Sequence, residues 1–138
     1  MQEYKDNSLS YGRGYVYNIQ YHVVWCVKYR RGVLTNDVEE TFKSELQAAA
    51  QDLGVTIMAM ECMPDHIHLL LDCTPQHFIP TVVKVLKGNT ARRLFIRHPE
   101  LKAKLWEGHL WNPSYFVATV SDRTREQIEE YINHQKVK

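Results

Sequence analysis

Two pairs of residues in this chain have types and spacings that suit chemistry. His66 and His68 flank Ile67. On a strand, residues two apart leave the same face, so both imidazoles point one way while Ile67, Leu69 and Leu71 point the other. Two neutral imidazoles side by side make half a site for a divalent cation. The same spacing also arises from two unrelated histidines on a polar sheet face. The second pair is Tyr131 and Gln135, four apart, which places one above the other on a helix flanked by Ile128 and Ile132. A tyrosine on such a stripe is ordinary core material, but an amide oxygen one turn away gives it a second meaning. A glutamine carbonyl is a hard, neutral ligand that would complete a site begun by two histidines. The phenol would then lie within reach of whatever a cation holds, a phosphate oxygen above all. Nearby thiols suggest a structural zinc instead. Cys73 has the parity of Ile67 and turns away, whereas Cys62, before the turn, stays open as a ligand.

The elements that must position these groups follow from periodicity. Tyr15 to Tyr29 alternates, with apolar or aromatic residues at every odd position, which predicts one long half-buried strand. His22 lies on its mixed-polarity side, either lining a site or satisfying a local bond. Asn36-x-x-Glu39 reads as a capping box, followed by Val38, Phe42, Leu46, Ala49, Ala50 and Leu53 at helical spacing and a stop at Gly54. Residues 55–61 and 66–73 read as two strands joined by the turn Met63-Pro64-Asp65. A second helix is expected over 78–97, with a possible bend at Gly88-Asn89. Residues 98–113 read as loop, 115–120 as a fourth strand, and a last helix begins near Thr124, where Thr124-x-x-Gln127 forms another capping box, and is expected to continue to the C-terminus. The order β-α-β-β-α-β-α predicts an α+β protein, a ferredoxin-like or RRM-like antiparallel sheet with helices packed on it and a C-terminal helix carrying the tyrosine. That fold serves many functions and decides none.

The chain has 138 residues, enough for one domain: residues 1–14 read as a loose N-terminal tail and 15–138 as the domain. No apolar run approaches the ~18 residues of a membrane span. Three cysteines, Cys26, Cys62 and Cys73, show no framework spacing, so a reduced, cytoplasmic protein is expected. Net charge is only +1, which argues against a general polyanion binder. The charges are unevenly placed, however. Between Thr35 and Asp65 seven acids meet one base, while between Cys73 and Pro99 the bases Lys84, Lys87, Arg92, Arg93 and Arg97 meet no acid. Lys28, Arg30 and Arg31 form a second basic knot. These runs are either solvated faces or phosphate contacts. Trp106 and Trp111 either stack unpaired bases or belong to the core.

The run Met63-Pro64-Asp65-His66-Ile67-His68-Leu69-Leu70-Leu71 resembles the His-hydrophobe-His (HUH) signature, and Tyr131-Ile132-x-x-Gln135 resembles the nucleophile helix of single-tyrosine HUH transposases, the TnpA enzymes of small bacterial and archaeal insertion sequences. Tyr21-His22-Val23-Val24-Trp25, Lys28-Tyr29-Arg30 and Leu105-Trp106 with Leu110-Trp111-Asn112-Pro113-Ser114-Tyr115 are also similar to that family, and the likeness spans about residues 13–136. The resemblance implies transposition of single-stranded DNA. On it, His66, His68 and Gln135 would bind Mg²⁺ or Mn²⁺, and Tyr131 would be the nucleophile forming a 5′-phosphotyrosine. It also implies a homodimer that recognises hairpins near element ends. Lys84, Lys87, Arg92 and Arg93, with Lys28, Arg30 and Arg31 behind them, are the candidates for DNA phosphate contacts. No general base is legible, since His134 and Lys136 are turned away from Tyr131 by helical spacing. Two rival readings are a domesticated nuclease of the same type acting on repeated palindromes, and a non-catalytic ferredoxin-like module binding single strands through sheet aromatics.

Overall fold

The structure is a computed structural model, and it describes residues 10–12, 15–105, 108–120 and 124–135. The rest of the expected tail, Trp106 and Lys136 lie outside the described residues. Ser10–Gly12 (β1) pairs antiparallel with Tyr15–Tyr17 (β2), so this end of the expected tail is strand. The long alternating segment is divided. Asn18 separates β2 from β3 (Ile19–Cys26), and the two halves belong to different sheets. The segment also ends early, in a 3-10 turn over Lys28–Arg30, because Tyr29 and Arg30 take φ values of 59° and 52°, which no strand accommodates.

Helix α1 (Asn36–Leu53) starts without the expected capping box. Thr35 holds the N-cap position with no side-chain bond, and Asn36 enters at φ 53°, a left-handed backbone that asparagine tolerates better than most residues. Glu39 instead reaches forward to Lys43 at 2.7 Å. At the other end Gly54 (φ 74°) closes the helix, its N–H donating to the carbonyls of Ala50 and Gln51. β4 (Thr56–Met63) and β5 (His66–Cys73) form the expected hairpin. Helix α2 (Ile79–Arg97) runs through Gly88 and Asn89 as one element. The segment expected as loop contains a short helix, α3 (Leu101–Lys104), before β6 (Phe116–Thr119) and α4 (Thr124–His134). Thr124, expected in a box with Gln127, donates its hydroxyl to the Thr119 carbonyl at 3.2 Å, tying α4 back to β6.

The sheet order is β4-β5-β3-β6, antiparallel throughout, which is the split βαβ arrangement expected of this α+β chain. Phe42 and Leu46 of α1 and Val82 and Leu86 of α2 cover Val23, Trp25, Ile67, Leu69 and Leu71 on one face. Trp111 belongs to this core too, its indole N–H donating to the Lys87 carbonyl at 3.0 Å. The opposite face of β3, read as mixed, is also closed: Gln20, His22, Val24 and Cys26 are all buried. On this second face α4 packs against β3 and β6, anchored by buried Ile128. Burying that side chain contributes roughly 1.5–3 kcal/mol to holding the helix down. No helix among the described residues is long and apolar enough to cross a membrane.

Candidate active site

Strand register decides which residues share the second face. Phe116 of β6 pairs with Val24 of β3, Val24 pairs with His68 of β5, and His68 pairs with Glu61 of β4. Paired residues project to the same side, so Phe116 and His68 stand in one row, two strand spacings (~10 Å) apart. The ring of Tyr131 packs on Phe116 with centroids 5.7 Å apart. The tyrosine of α4 is thereby on the histidine face of the sheet. The neighbouring row pairs Cys26 with His66. Cys62 pairs with Ile67 and packs on the helix-covered core, as Cys73 does, so both thiols face away from the histidines. That closes the zinc alternative left open for Cys62. Burial pushes the thiols of Cys26, Cys62 and Cys73 up to about 11, so they are protonated at neutral pH.

The imidazoles are held by neighbours on the same side. His66 Nδ1 meets Asp65 Oδ1 at 2.8 Å, which leaves Nε2 as the nitrogen it offers to a ligand. This carboxylate–histidine arrangement is the one that orients metal-binding imidazoles. Arg30 Nε donates to Asp65 Oδ2 at 2.9 Å, and its Nη1 donates to the carbonyl of Ile132 in α4 at 3.3 Å. Burial works against the Asp65 charge, but the bonds from His66 and Arg30 prevail and hold its carboxyl below the usual range. His68 Nε2 lies 2.9 Å from His22 Nδ1. Burial, with the neighbouring His22, pulls the His68 imidazole down to about 4, so it is neutral at physiological pH, the form that ligates. Among the described residues no three His, Cys, Asp or Glu side chains gather as a metal site, so a cation held here would take its third ligand from a group of another kind. The Gln135 amide is of another kind: its Nε2 faces the Tyr131 carbonyl at 3.4 Å, which engages the nitrogen rather than the oxygen. Two imidazoles with an amide oxygen are a borderline donor set for a divalent cation, and the His68 Nε2 that would ligate is turned to His22.

The phenol of Tyr131 is 2.8 Å from Ser114 Oγ. Ser114 sits on the loop before β6, which is fastened to the His66 end of β3: Asn112 N–H donates to the Cys26 carbonyl at 2.9 Å, and Lys28 N–H donates to the Leu110 carbonyl at 2.8 Å. Lys87 holds the same loop from α2, its ammonium donating to the carbonyls of Asn112 (2.7 Å) and Ser114 (3.2 Å). Burial raises the Tyr131 phenol above its ordinary value, partly offset by Ser114. Burial lowers Lys87.

The basic residues read as phosphate contacts divide. Lys84, Arg92 and Arg93 are exposed on α2, the layer opposite the histidine face, and Arg93 lies 3.8 Å from Glu45 of α1. Arg31 is exposed, and the Lys28 ammonium lies 5.4 Å from the Tyr29 ring centre. Arg30 and Lys87 are instead engaged with protein groups at the site itself.

Comparison with known proteins adds the family. The family described as "Transposase IS200 like" matches residues 15–135, nearly the whole chain. The chain belongs to the IS200-like transposases. This transposase is 55% identical over 124 residues to the ISDra2 transposase TnpA of Deinococcus radiodurans, covering 90% of this chain and 89% of that one. It is 32% identical over 130 residues to the transposase for insertion sequence element IS200 of Salmonella typhimurium, covering 94% and 83%. A crystal structure assigned as a transposase from Deinococcus radiodurans R1 superposes with a TM-score of 0.90 at 50% identity, covering 94% of this chain and 99% of that one. A REP-associated tyrosine transposase bound to a REP hairpin superposes with a TM-score of 0.57 at 15% identity, covering 90% and 71%, a likeness of fold.

The sequence alone did not mark Asp65, Ser114 and Asn112 as parts of the site of this transposase, and it offered Arg30 and Lys87 as candidates for DNA phosphate contacts. Asp65 had a visible signal, its place beside His66. The others act across long stretches of chain and leave no local pattern.

Proposed function

We propose that this transposase cuts and rejoins single-stranded DNA through a 5′-phosphotyrosine on Tyr131, with Mg²⁺ or Mn²⁺ held by His66, His68 and Gln135. The observation that carries the reading is the Tyr131–Phe116 contact in the row of His68, which puts a phenol and two imidazoles on one sheet face. A divalent cation there would neutralise charge on a phosphate oxygen and favour in-line displacement. Tyr131 Oη attacks phosphorus, the Oη–P bond forms, and the P–O3′ bond breaks. The 3′-oxygen ends with the proton that the phenol loses. A later 3′-OH reverses the exchange, and because one ester replaces another no nucleotide cofactor is required. Phenolate leaves more readily than an alkoxide, which keeps the intermediate reactive.

DNA hairpins near element ends are the proposed recognition element, in keeping with the hairpin named for the 15%-identical relative of the same fold. The proposed working unit is a cytoplasmic homodimer. The test uses labelled single-stranded oligonucleotides taken from the DNA flanking the gene, with Mg²⁺. The wild type should give a denaturant-resistant protein–DNA adduct, lost with EDTA and in Tyr131→Phe. An undiminished adduct in Tyr131→Phe removes Tyr131 as the nucleophile. Light scattering that finds only monomer at working concentration removes the dimer.

A further inference from the structure

The Asn112-Pro113-Ser114 turn carries a hydrogen-bond chain whose direction can be derived. Asn112 Oδ1 accepts the main-chain N–H of Ser114 at 3.0 Å. A main-chain N–H can only donate, so the atom it meets is the amide oxygen and not the amide nitrogen. The Ser114 hydroxyl lies 3.0 Å from the same oxygen, and since that oxygen cannot donate, the hydroxyl hydrogen points to Asn112. Serine has one such hydrogen. At its 2.8 Å contact with Tyr131, Ser114 Oγ is therefore the acceptor and the phenol is the donor.

A phenol whose hydrogen is pinned this way has its lone pairs turned away from Ser114. The turn that does the pinning is itself fixed from two sides. Lys87 grips the carbonyls of Asn112 and Ser114 from α2, and the Asn112 N–H is bonded to Cys26, the residue paired with His66. The direction of the Tyr131 hydroxyl hydrogen is thus referred to the strand end that carries the histidines.

We propose that Ser114, oriented by Asn112, is a positioning residue for the Tyr131 oxygen, setting the direction in which its lone pairs are presented to phosphorus. The inference rests on Tyr131 being the nucleophile. Ser114 is itself exposed, so its removal leaves the fold intact and the effect falls on geometry. Attack on phosphorus requires alignment, and misplacement by ~1 Å costs on the order of 100-fold in rate.

The experiment compares wild type, Ser114→Ala, Ser114→Thr, Asn112→Ala and Tyr131→Phe under single-turnover conditions, using the oligonucleotides from the gene's flanks and Mg²⁺. Binding of the same oligonucleotides is measured separately in EDTA. Ser114→Ala should form adduct about 10- to 100-fold more slowly with unchanged binding. Ser114→Thr, which keeps the hydroxyl, should recover to within a few-fold, and Asn112→Ala should slow the reaction without reaching the Ser114→Ala level. A Ser114→Ala rate equal to wild type, or one that falls only as binding falls, overturns the role of Ser114 while an inactive Tyr131→Phe leaves the nucleophile standing. An active Tyr131→Phe, or a wild type that forms no adduct, overturns both.

Discussion

The guanidinium of Arg30 joins the main-chain carbonyl of Ile132, at 3.3 Å, to the carboxylate of Asp65, at 2.9 Å, across 102 residues of sequence in the first case. One side chain thus links the helix that carries Tyr131 to the turn that leads into His66. Arg30→Ala should lower stability by about 1–3 kcal/mol, because it leaves Asp65 with one fewer charged partner in a half-buried place. It should also slow adduct formation more than it weakens DNA binding. Arg30→Lys should not restore the rate, since an ammonium cannot repeat a two-direction fork. Thermal melting and single-turnover assays check this; an Arg30→Ala protein equal to wild type in both would refute the bridge.

Asp65 is expected to act on cation affinity through His66. Asp65→Asn keeps the shape but removes the charge opposite Nδ1, and Mn²⁺ affinity should fall about 10- to 100-fold. His66→Ala should fall further. Calorimetric titration of Mn²⁺ into the DNA-free protein measures both, and an Asp65→Asn curve that overlays the wild type would argue against an orienting carboxylate.

The basic residues should separate into two kinds. If Lys84 and Arg92 touch phosphates, replacing both with Gln lowers the slope of log Kobs against log salt by roughly two. Lys87→Met should instead lower the melting temperature, because it abandons two carbonyls that its ammonium now satisfies. A double variant with an unaltered slope would take the outer side of α2 off the DNA path.

The thiols give a pH prediction. With all three raised to about 11, the reactive thiolate is scarce below that value and becomes more abundant as pH climbs toward it. Iodoacetamide at pH 8 should modify the native protein slowly, with half-buried Cys62 first and Cys26 and Cys73 last. Denaturant should bring all three to the rate of ordinary thiols. Rapid native labelling of Cys26 at pH 8 would contradict its burial at the end of β3.

Much of this arrangement is legible in the sequence where a local pattern carries it. β5 runs from His66 to Cys73 as expected, because a proline turn marks its start and the alternation of His66 and His68 with Ile67 and Leu69 marks its faces. Tyr131 lies on the last helix as expected, but that helix ends at His134, so Gln135 follows it, its N–H donating to the Ile132 carbonyl at 3.2 Å. The break at Asn18 is not legible, because alternation continues across it while the pairing partner changes. The positive φ values at Tyr29, Arg30 and Asn36 are equally hidden, since none is glycine. The roles of Arg30, Lys87 and Ser114 depend on contacts across 17 to 102 positions, which no spacing rule reports.

The burial of β3 on both sides has a consequence for how a nucleic acid meets this protein. Modules that read single strands by laying bases on bare sheet aromatics need an open central platform. Here His22, Val24 and Leu70 occupy that platform and are sealed from solvent, which leaves no landing area for a stacked base along the middle of the sheet. On the proposed reading, a strand would approach at the margin, where the Asp65 turn and the Ser114 loop meet the last helix.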